Sequence, residues 1–339
     1  MSALARPYQD AFLPYWHPVA FSRELTAARP LSARLLESDL VLWRSPAGVR
    51  AARRYCAHRG ADLSSGEVAD GALVCPFHGW TYGPDGRCIR IPSQPSAPIP
   101  EGARVDAFLA AERYGLVWVC LAAEPLAPMP HWPELEAEGE RLKTVELPRL
   151  EWDASAGRMM EIVLDVAHLS WVHRGTFGNP GEPEVAAYEV ERRPGGLGAQ
   201  IHYPALAPSV NGAPPRIDRT SLTYDVTFPF AVRLAFQPTL FYAHTVYAVA
   251  SPLSEEAMHC YYFASYDARI RNFSEMFVRS EMAILEQDRR VLEAQRPKAQ
   301  PLGFVGEIPT RADRLAVEYR RELARLRGAQ PPTHRLDVC

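Results

Sequence analysis

Two short Cys/His pairs stand out in this chain of 339 residues: Cys56-Ala-His58 and Cys75-Pro-Phe-His78, with 16 residues between His58 and Cys75. Each pair follows a strand-like run and sits in a tight loop flanked by Gly or Pro, CAHRG and CPFHGW. Thiolate and imidazole at this spacing can converge on metal from two facing loops. Three chemistries compete. Structural cysteines with satisfied histidines would require the doubled pattern to arise by coincidence. Zinc accepts Cys₂His₂ sets, but its usual loops pair like with like, whereas each loop here carries one of each. A [2Fe–2S] cluster with two cysteines on one iron and two histidines on the other uses that mixture, and its neutral imidazoles raise the potential to about −150 to +300 mV.

A second constellation lies in EIVLDVAHLSWVH, residues 161–173. Asp165 and His168 are three apart and share a face if the segment is helical. His173 lies five further on, about 140° round an ideal helix. Both imidazoles reach one ion only if the helix ends or distorts between them, and the following RGTFGNPG is a strong breaker. Two histidines and one carboxylate with open positions form the facial triad of Fe(II) oxygenases. The carboxylate must come from elsewhere. The clearest helix in the chain, 274–296, carries Phe277, Ile284, Asp288, Val291 and Leu292 in one stripe. A carboxylate on an apolar face is costly unless paired or metal-bound, which marks Asp288, and Glu281 lies on the same face as a rival.

These motifs in this order resemble the oxygenase (α) component of the Rieske non-heme iron oxygenases, over about Pro14 to Pro297. The resemblance implies that Cys56, His58, Cys75 and His78 hold a Rieske [2Fe–2S] cluster and that His168, His173 and Asp288 hold Fe(II). It favours Asp288 over Glu281 through the setting EQDRRVLEAQRP. It gives Asp165 a bridging role, hydrogen-bonded between a cluster histidine of one subunit and an iron histidine of its neighbour, with His78 and His168 as endpoints. A homotrimer follows from the same resemblance. Many relatives carry an asparagine three or four residues before the bridging aspartate, where Glu161 and Ile162 stand here. The length is similar to the single-component group of vanillate, dicamba and caffeine demethylases. The implied reaction uses O₂ and electrons from NAD(P)H, delivered by a separate reductase or ferredoxin, to hydroxylate or O-/N-demethylate a small organic, aromatic or natural-product substrate. Ring cis-dihydroxylation and pure electron transfer by a Rieske protein without oxygenase activity are the alternatives, with a zinc interaction module behind them.

The elements that must position these groups can be read from turns and periodicity. Residues 38–56 read as strand, turn at Ser45–Gly48, strand; 72–91 repeat the pattern, and 114–121 is a further strand. This predicts a small antiparallel β domain over 1–122, then a proline-rich linker over 123–149, then an α+β catalytic domain over 150–339. A last amphipathic stretch, 311–328, ends on Gly328 as a helix cap. Polar residues interrupting apolar runs over 200–263 suggest a substrate pocket involving Asn211, Arg233, Gln237, Tyr242, His244 and His259. His17, His131, His202, His334, Cys88, Cys120, Cys260 and Cys339 are expected to be structural.

Bulk properties limit the rest. A net charge of −3 gives no broad attraction to nucleic acid or anionic membrane. No secretory signal and no run near the roughly 18 apolar residues of a membrane span is present, so a cytoplasmic enzyme with reduced cysteines is expected. No dinucleotide loop or P-loop occurs, which places nucleotide binding on the reductase.

Overall fold

The computed structural model describes residues 7–136, 141–207, 216–240, 242–304 and 306–329. The chain divides into two compact units, Phe12–Met129 and the residues from Pro130 onward together with the described part of Met1–Ala11.

After a short helix α1 (Tyr8–Phe12), the first unit is built from ten strands. These are β1 (His17–Phe21), β2 (Leu31–Leu35), β3 (Ser38–Ser45), β4 (Gly48–Arg53), β5 (Glu67–Ala69), β6 (Ala72–Val74), β7 (Thr81–Tyr82), β8 (Cys88–Arg90), β9 (Ala107–Arg113) and β10 (Leu116–Cys120). One sheet runs β1-β10-β9-β4-β3-β2 and a smaller one β5-β6-β7-β8. The expected Ser45–Gly48 turn joins β3 to β4, with Gly48 at φ 108°. Val41, Trp43, Leu63, Leu73 and Tyr82 pack into a core beneath the two cysteine loops. Cys56 lies in the loop that leaves β4 and Cys75 in the loop that joins β6 to β7, and both cysteines are part of this core, which fixes where they point.

The second unit is α+β, as its sequence pattern predicts. Its order is α2 (Pro133–Glu136), β11 (Leu142–Glu146), β12 (Leu150–Trp152), α3 (Ala156–Leu164) and α4 (Leu169–Val172). Then follow β13 (Val190–Arg193), β14 (Gly196–Ala207), β15 (Arg216–Thr227), β16 (Ala231–Gln237), β17 (His244–Pro252) and β18 (Met258–Asp267). Helices α5 (Phe273–Ala294) and α6 (Arg314–Leu326) close the chain. The sheet order is β11-β18-β17-β16-β15-β14-β13, with β12 also on β18. The expected linker is therefore shorter than 123–149, because Leu142–Glu146 pair residue by residue with Asp267–Phe263. Its four prolines do lie before this strand, where they break regular structure.

Strand alternation sorts the side chains of this sheet onto two faces. Tyr203, Phe236, His244, Tyr262 and Tyr266 share one face through the register of β14 to β18. That face meets α5: the Tyr266 ring stacks on Phe273 at 4.1 Å, and its hydroxyl lies 2.6 Å from Ser274 Oγ. The other face carries Arg233, Tyr247 and Ser265, where Glu134 of α2 receives the Arg233 guanidinium. Helix α6 is anchored by Tyr319, whose hydroxyl donates to Pro229 O at 2.9 Å. Gly328 follows α6 at φ 69°, the left-handed cap that the sequence predicts.

Two candidate metal centres

The two cysteine loops are built alike. The Cys56 N–H donates to Ala61 O at 2.9 Å and the Gly60 N–H to Cys56 O at 2.8 Å. In the second loop the Cys75 N–H donates to Trp80 O at 2.8 Å and the Gly79 N–H to Cys75 O at 3.0 Å. The glycine four residues after each cysteine sits at φ +68° in both loops, a left-handed conformation that glycine adopts without steric cost. Cys56 and Cys75 are buried, while His58 and His78 are exposed. The two imidazoles face each other edge to face at 4.7 Å between centroids, and Trp80 lies flat on His58 at 4.6 Å. Thiols inside and imidazoles outside is the polarity of a cluster with one sulfur-bound and one histidine-bound iron.

Tyr82 on β7 contributes a group that motif spacing does not reveal. Its hydroxyl accepts the Ala57 N–H at 3.1 Å and lies 3.0 Å from Cys56 Sγ. With its acceptor side occupied, the hydroxyl proton is free to point at the sulfur.

The second centre starts where α3 stops. Asp165 ends that helix in extended conformation, φ −91° and ψ 126°, and its Oδ1 accepts the Ala167 N–H at 2.7 Å. This local side-chain bond competes with helix continuation. The break therefore falls before His168, not only in the glycine-rich run after His173 as the sequence suggests. The one-turn α4 then places His168 at its N-terminal cap and His173 at its C-terminal cap. Beyond it the chain folds back on His173, whose carbonyl accepts N–H bonds from Thr176 at 2.8 Å and Gly178 at 2.9 Å. A Cβ on Gly178 would lie 2.4 Å from Leu169 O and 2.7 Å from the His173 carbonyl carbon, so only glycine fits there.

His168, His173 and Asp288 each turn one ligand atom to a common point, all within 4.8 Å of one another. His173 Nε2 lies 3.2 Å from Asp288 Oδ1 and 3.2 Å from His168 Nε2. Asp288 Oδ1 and His168 Nδ1 are buried without a hydrogen-bond partner. Buried polar atoms are almost always satisfied, so the carboxylate oxygen left bare beside two imidazoles fits a divalent cation. Burial disfavours a charged His173, yet Asp288 and Gln287 outweigh it and raise the imidazole pKa. Gln287 is missed by spacing rules: its Oε1 accepts the His173 Nδ1–H at 2.8 Å, which leaves Nε2 unprotonated toward the common point. Asp165 Oδ2 stands 3.6 Å from His168 Nδ1, beyond hydrogen-bonding distance.

Glu281 does not join this set. Tyr262 donates to its Oε1 at 2.6 Å. Glu161 also has its own partners: with Arg158, Arg320 and Glu307 it forms a charge network tying α3 to α6. Glu161 is thus used here for packing α3 against α6.

Of the expected pocket residues that lie in described strands, His244 alone is on the α5 side of the sheet. Its ring stacks on Phe236 at 4.8 Å and meets Phe277 edge-on at 5.6 Å. The expectation for Arg233 and Gln237 is corrected, because alternation turns both to the opposite face, where Glu134 claims Arg233. His259 shares that face parity and approaches Glu151. Tyr242 is 56% exposed. Asn211, His334 and Cys339 lie outside the described residues. His17 is structural as expected: its Nε2 bonds with Phe12 O at 2.9 Å, and burial lowers its pKa to about 4. Among the described residues, no helix is long and apolar enough to cross a membrane.

A β domain with a mixed Cys/His loop pair, followed by an α+β domain with a two-histidine, one-carboxylate site, defines a two-centre iron oxygenase. Comparison with known proteins agrees. Residues 15–108 match the Rieske [2Fe-2S] domain, and residues 152–329 match the vanillate O-demethylase oxygenase C-terminal domain. Methylxanthine N1-demethylase NdmA of Pseudomonas putida is 31% identical over 323 residues, spanning 93% of this chain and 89% of the relative. Methylxanthine N3-demethylase NdmB of the same organism is 27% identical, spanning 91% and 87%. The structure of NdmA with caffeine superposes with a TM-score of 0.80 at 28% identity, covering 94% of this chain and 92% of that one. The chain belongs to the Rieske non-heme iron oxygenases, as an oxygenase (α) component. It is an enzyme that uses a Rieske cluster, mononuclear Fe(II), O₂ and reductase-supplied electrons to demethylate or hydroxylate small organic molecules.

Proposed function

We propose that this enzyme is an N-demethylase of small N-methylated heterocycles, with Cys56, His58, Cys75 and His78 holding the cluster and His168, His173 and Asp288 holding the ferrous ion. The observation that carries the metal assignment is the convergence of three ligand atoms with Asp288 Oδ1 left bare. The choice of N-methyl substrates is supported by the methylxanthine demethylases, which align over about nine-tenths of the chain. O-demethylation is the second reading, favoured by the match to the vanillate O-demethylase C-terminal domain.

When bound, the two iron centres supply electron transfer and dioxygen activation. The chain's own residues supply the rest. Gln287 fixes the His173 tautomer, and the Gly178 turn clamps the backbone of that ligand. Asp165 bridges His168 and the partner subunit's His78 in a ring-shaped homotrimer. This last point rests on the family resemblance and on the carboxylate standing beside His168 Nδ1. The overall balance is R₂N–CH₃ + O₂ + 2e⁻ + 2H⁺ giving R₂N–CH₂OH and water, after which the hemiaminal releases formaldehyde and leaves R₂N–H.

Purified protein should be red-brown and carry about three irons per chain, two in the cluster and one mononuclear. With NADH and a surrogate reductase, N-methyl heterocycles should yield formaldehyde; release only from methyl ethers would favour the second reading. Colourless, zinc-bearing protein would overturn both.

A further inference from the structure

Glu281 is a carboxyl that neither the metal set nor any ion pair among the described residues uses. It stands on α5 seven residues before Asp288, two turns and about 10 Å along the axis, on the same face. Its side chain is half-buried. Oε1 receives the Tyr262 hydroxyl, and Oε2 has no partner among the described residues. Burial pushes the carboxyl up to about 7, with Asp288 adding to the rise and Tyr262 opposing it. A tyrosine hydroxyl needs only one neutral acceptor, so satisfying Tyr262 does not account for an acid here. A half-buried carboxyl with one oxygen unmet is costly unless something polar comes to meet it.

The surroundings narrow what that partner is. One turn before Glu281, Phe277 meets His244 edge-on, and His244 stacks on Phe236. Burial lowers the His244 pKa against the opposing bond to Tyr242 O, and Nδ1–H donates to that carbonyl at 3.2 Å, which leaves Nε2 as the acceptor of the neutral ring. An aromatic wall with two acceptors fits a planar ring that carries a hydrogen-bond donor.

We infer that Glu281 is a specificity-determining residue: its Oε2 receives an N–H of the substrate ring, turning an N-methyl group of the same molecule toward His168, His173 and Asp288. This rests on the N-demethylase reading for the substrate class, while the recognition step can be measured without turnover.

The test uses the holoenzyme and its Glu281→Leu and Glu281→Gln variants with two probes, theobromine, which carries a ring N–H, and caffeine, which carries none. Binding is read by calorimetry and demethylation by formaldehyde release. The wild type should bind theobromine about tenfold more tightly than caffeine, the size of one hydrogen bond to a charged or strongly polar group. Glu281→Leu should lose that preference through theobromine alone, with KM following and kcat nearly unchanged. Glu281→Gln keeps the shape while removing the acid, and should also lose most of the preference if the Leu variant fails to fold by iron content and cluster spectrum. Equal binding of the two probes, binding of neither, or a preference that survives both substitutions overturns the inference. So does a fall in kcat for both probes at constant KM, which would place Glu281 in the oxygen chemistry. Selective binding without formaldehyde sinks the demethylase reading and leaves the recognition role standing.

Discussion

Gln287 accepts the Nδ1–H of His173 at 2.8 Å from the position next to Asp288, the proposed third ligand, on the same helix. In the proposed site, one turn of α5 therefore supplies both a ligand and the group that orients another ligand. Gln287→Leu should weaken mononuclear iron binding by about 10–100-fold, the usual cost of losing such a partner. Competition with a ferrous chelator measures this directly. Gln287→Glu keeps an acceptor and should restore most of the affinity; equal weakening in both variants would show that Oε1 is not the relevant atom.

Changing His168 or His173 to Ala should remove the mononuclear iron and abolish product formation. The cluster loops belong to a different compact unit, so the visible spectrum should survive. Iron content should fall from about three to about two per chain. Loss of the spectrum in either variant would contradict two independent sites.

Asp288→Ala should empty the mononuclear site, whereas Glu281→Ala should leave it filled. The basis is geometric: Asp288 Oδ1 stands 3.2 Å from His173 Nε2, while Glu281 is engaged by Tyr262. Iron analysis of the two variants decides between them.

Asp165→Asn should retain both metals, because the Asn Oδ1 can still accept the Ala167 N–H that ends α3. Product formation should nevertheless fall by about 100-fold, since an amide cannot supply the charged acceptor beside His168. The sharper readout is a single-turnover experiment, in which cluster oxidation should slow by a similar factor. Near-normal rates would remove the bridging role.

Much of the candidate site was legible in the residues because its proposed ligands, Asp288 excepted, come from short, contiguous motifs. Cys56, His58, Cys75 and His78 announce themselves by spacing, and α5 and α6 by periodicity with breakers at their ends. Less visible was anything decided by strand register or local side-chain competition. Arg233 reads as a pocket residue until alternation in β16 turns it to Glu134. The helix break at Asp165 depends on one Asx-type bond that competes with helical propensity only in three dimensions. The apolar stripe of α5 was also slightly out of phase: Leu285 is buried and Val291 is 39% exposed, because the helix packs along Phe273, Phe277 and Leu292. Tyr82 and Gln287 had no motif to reveal them, since a single hydroxyl or amide becomes meaningful only beside its partner.

Tyr82 gives the last test. Its hydroxyl accepts from Ala57 N–H and so directs its own proton to Cys56 Sγ, 3.0 Å away. A donor to a cluster sulfur stabilises the reduced, more negative state over the oxidised one, so its presence raises the potential. If the difference between the two states is about 1 kcal/mol, removing it lowers a one-electron potential by about 40 mV. Tyr82→Phe preserves the ring that fills the core under the loops, so the cluster should assemble and only its midpoint should move. Spectroelectrochemical titration of wild type and variant gives the shift. A midpoint unchanged within a few millivolts, or one that rises, would mean that the hydroxyl does not donate to the sulfur.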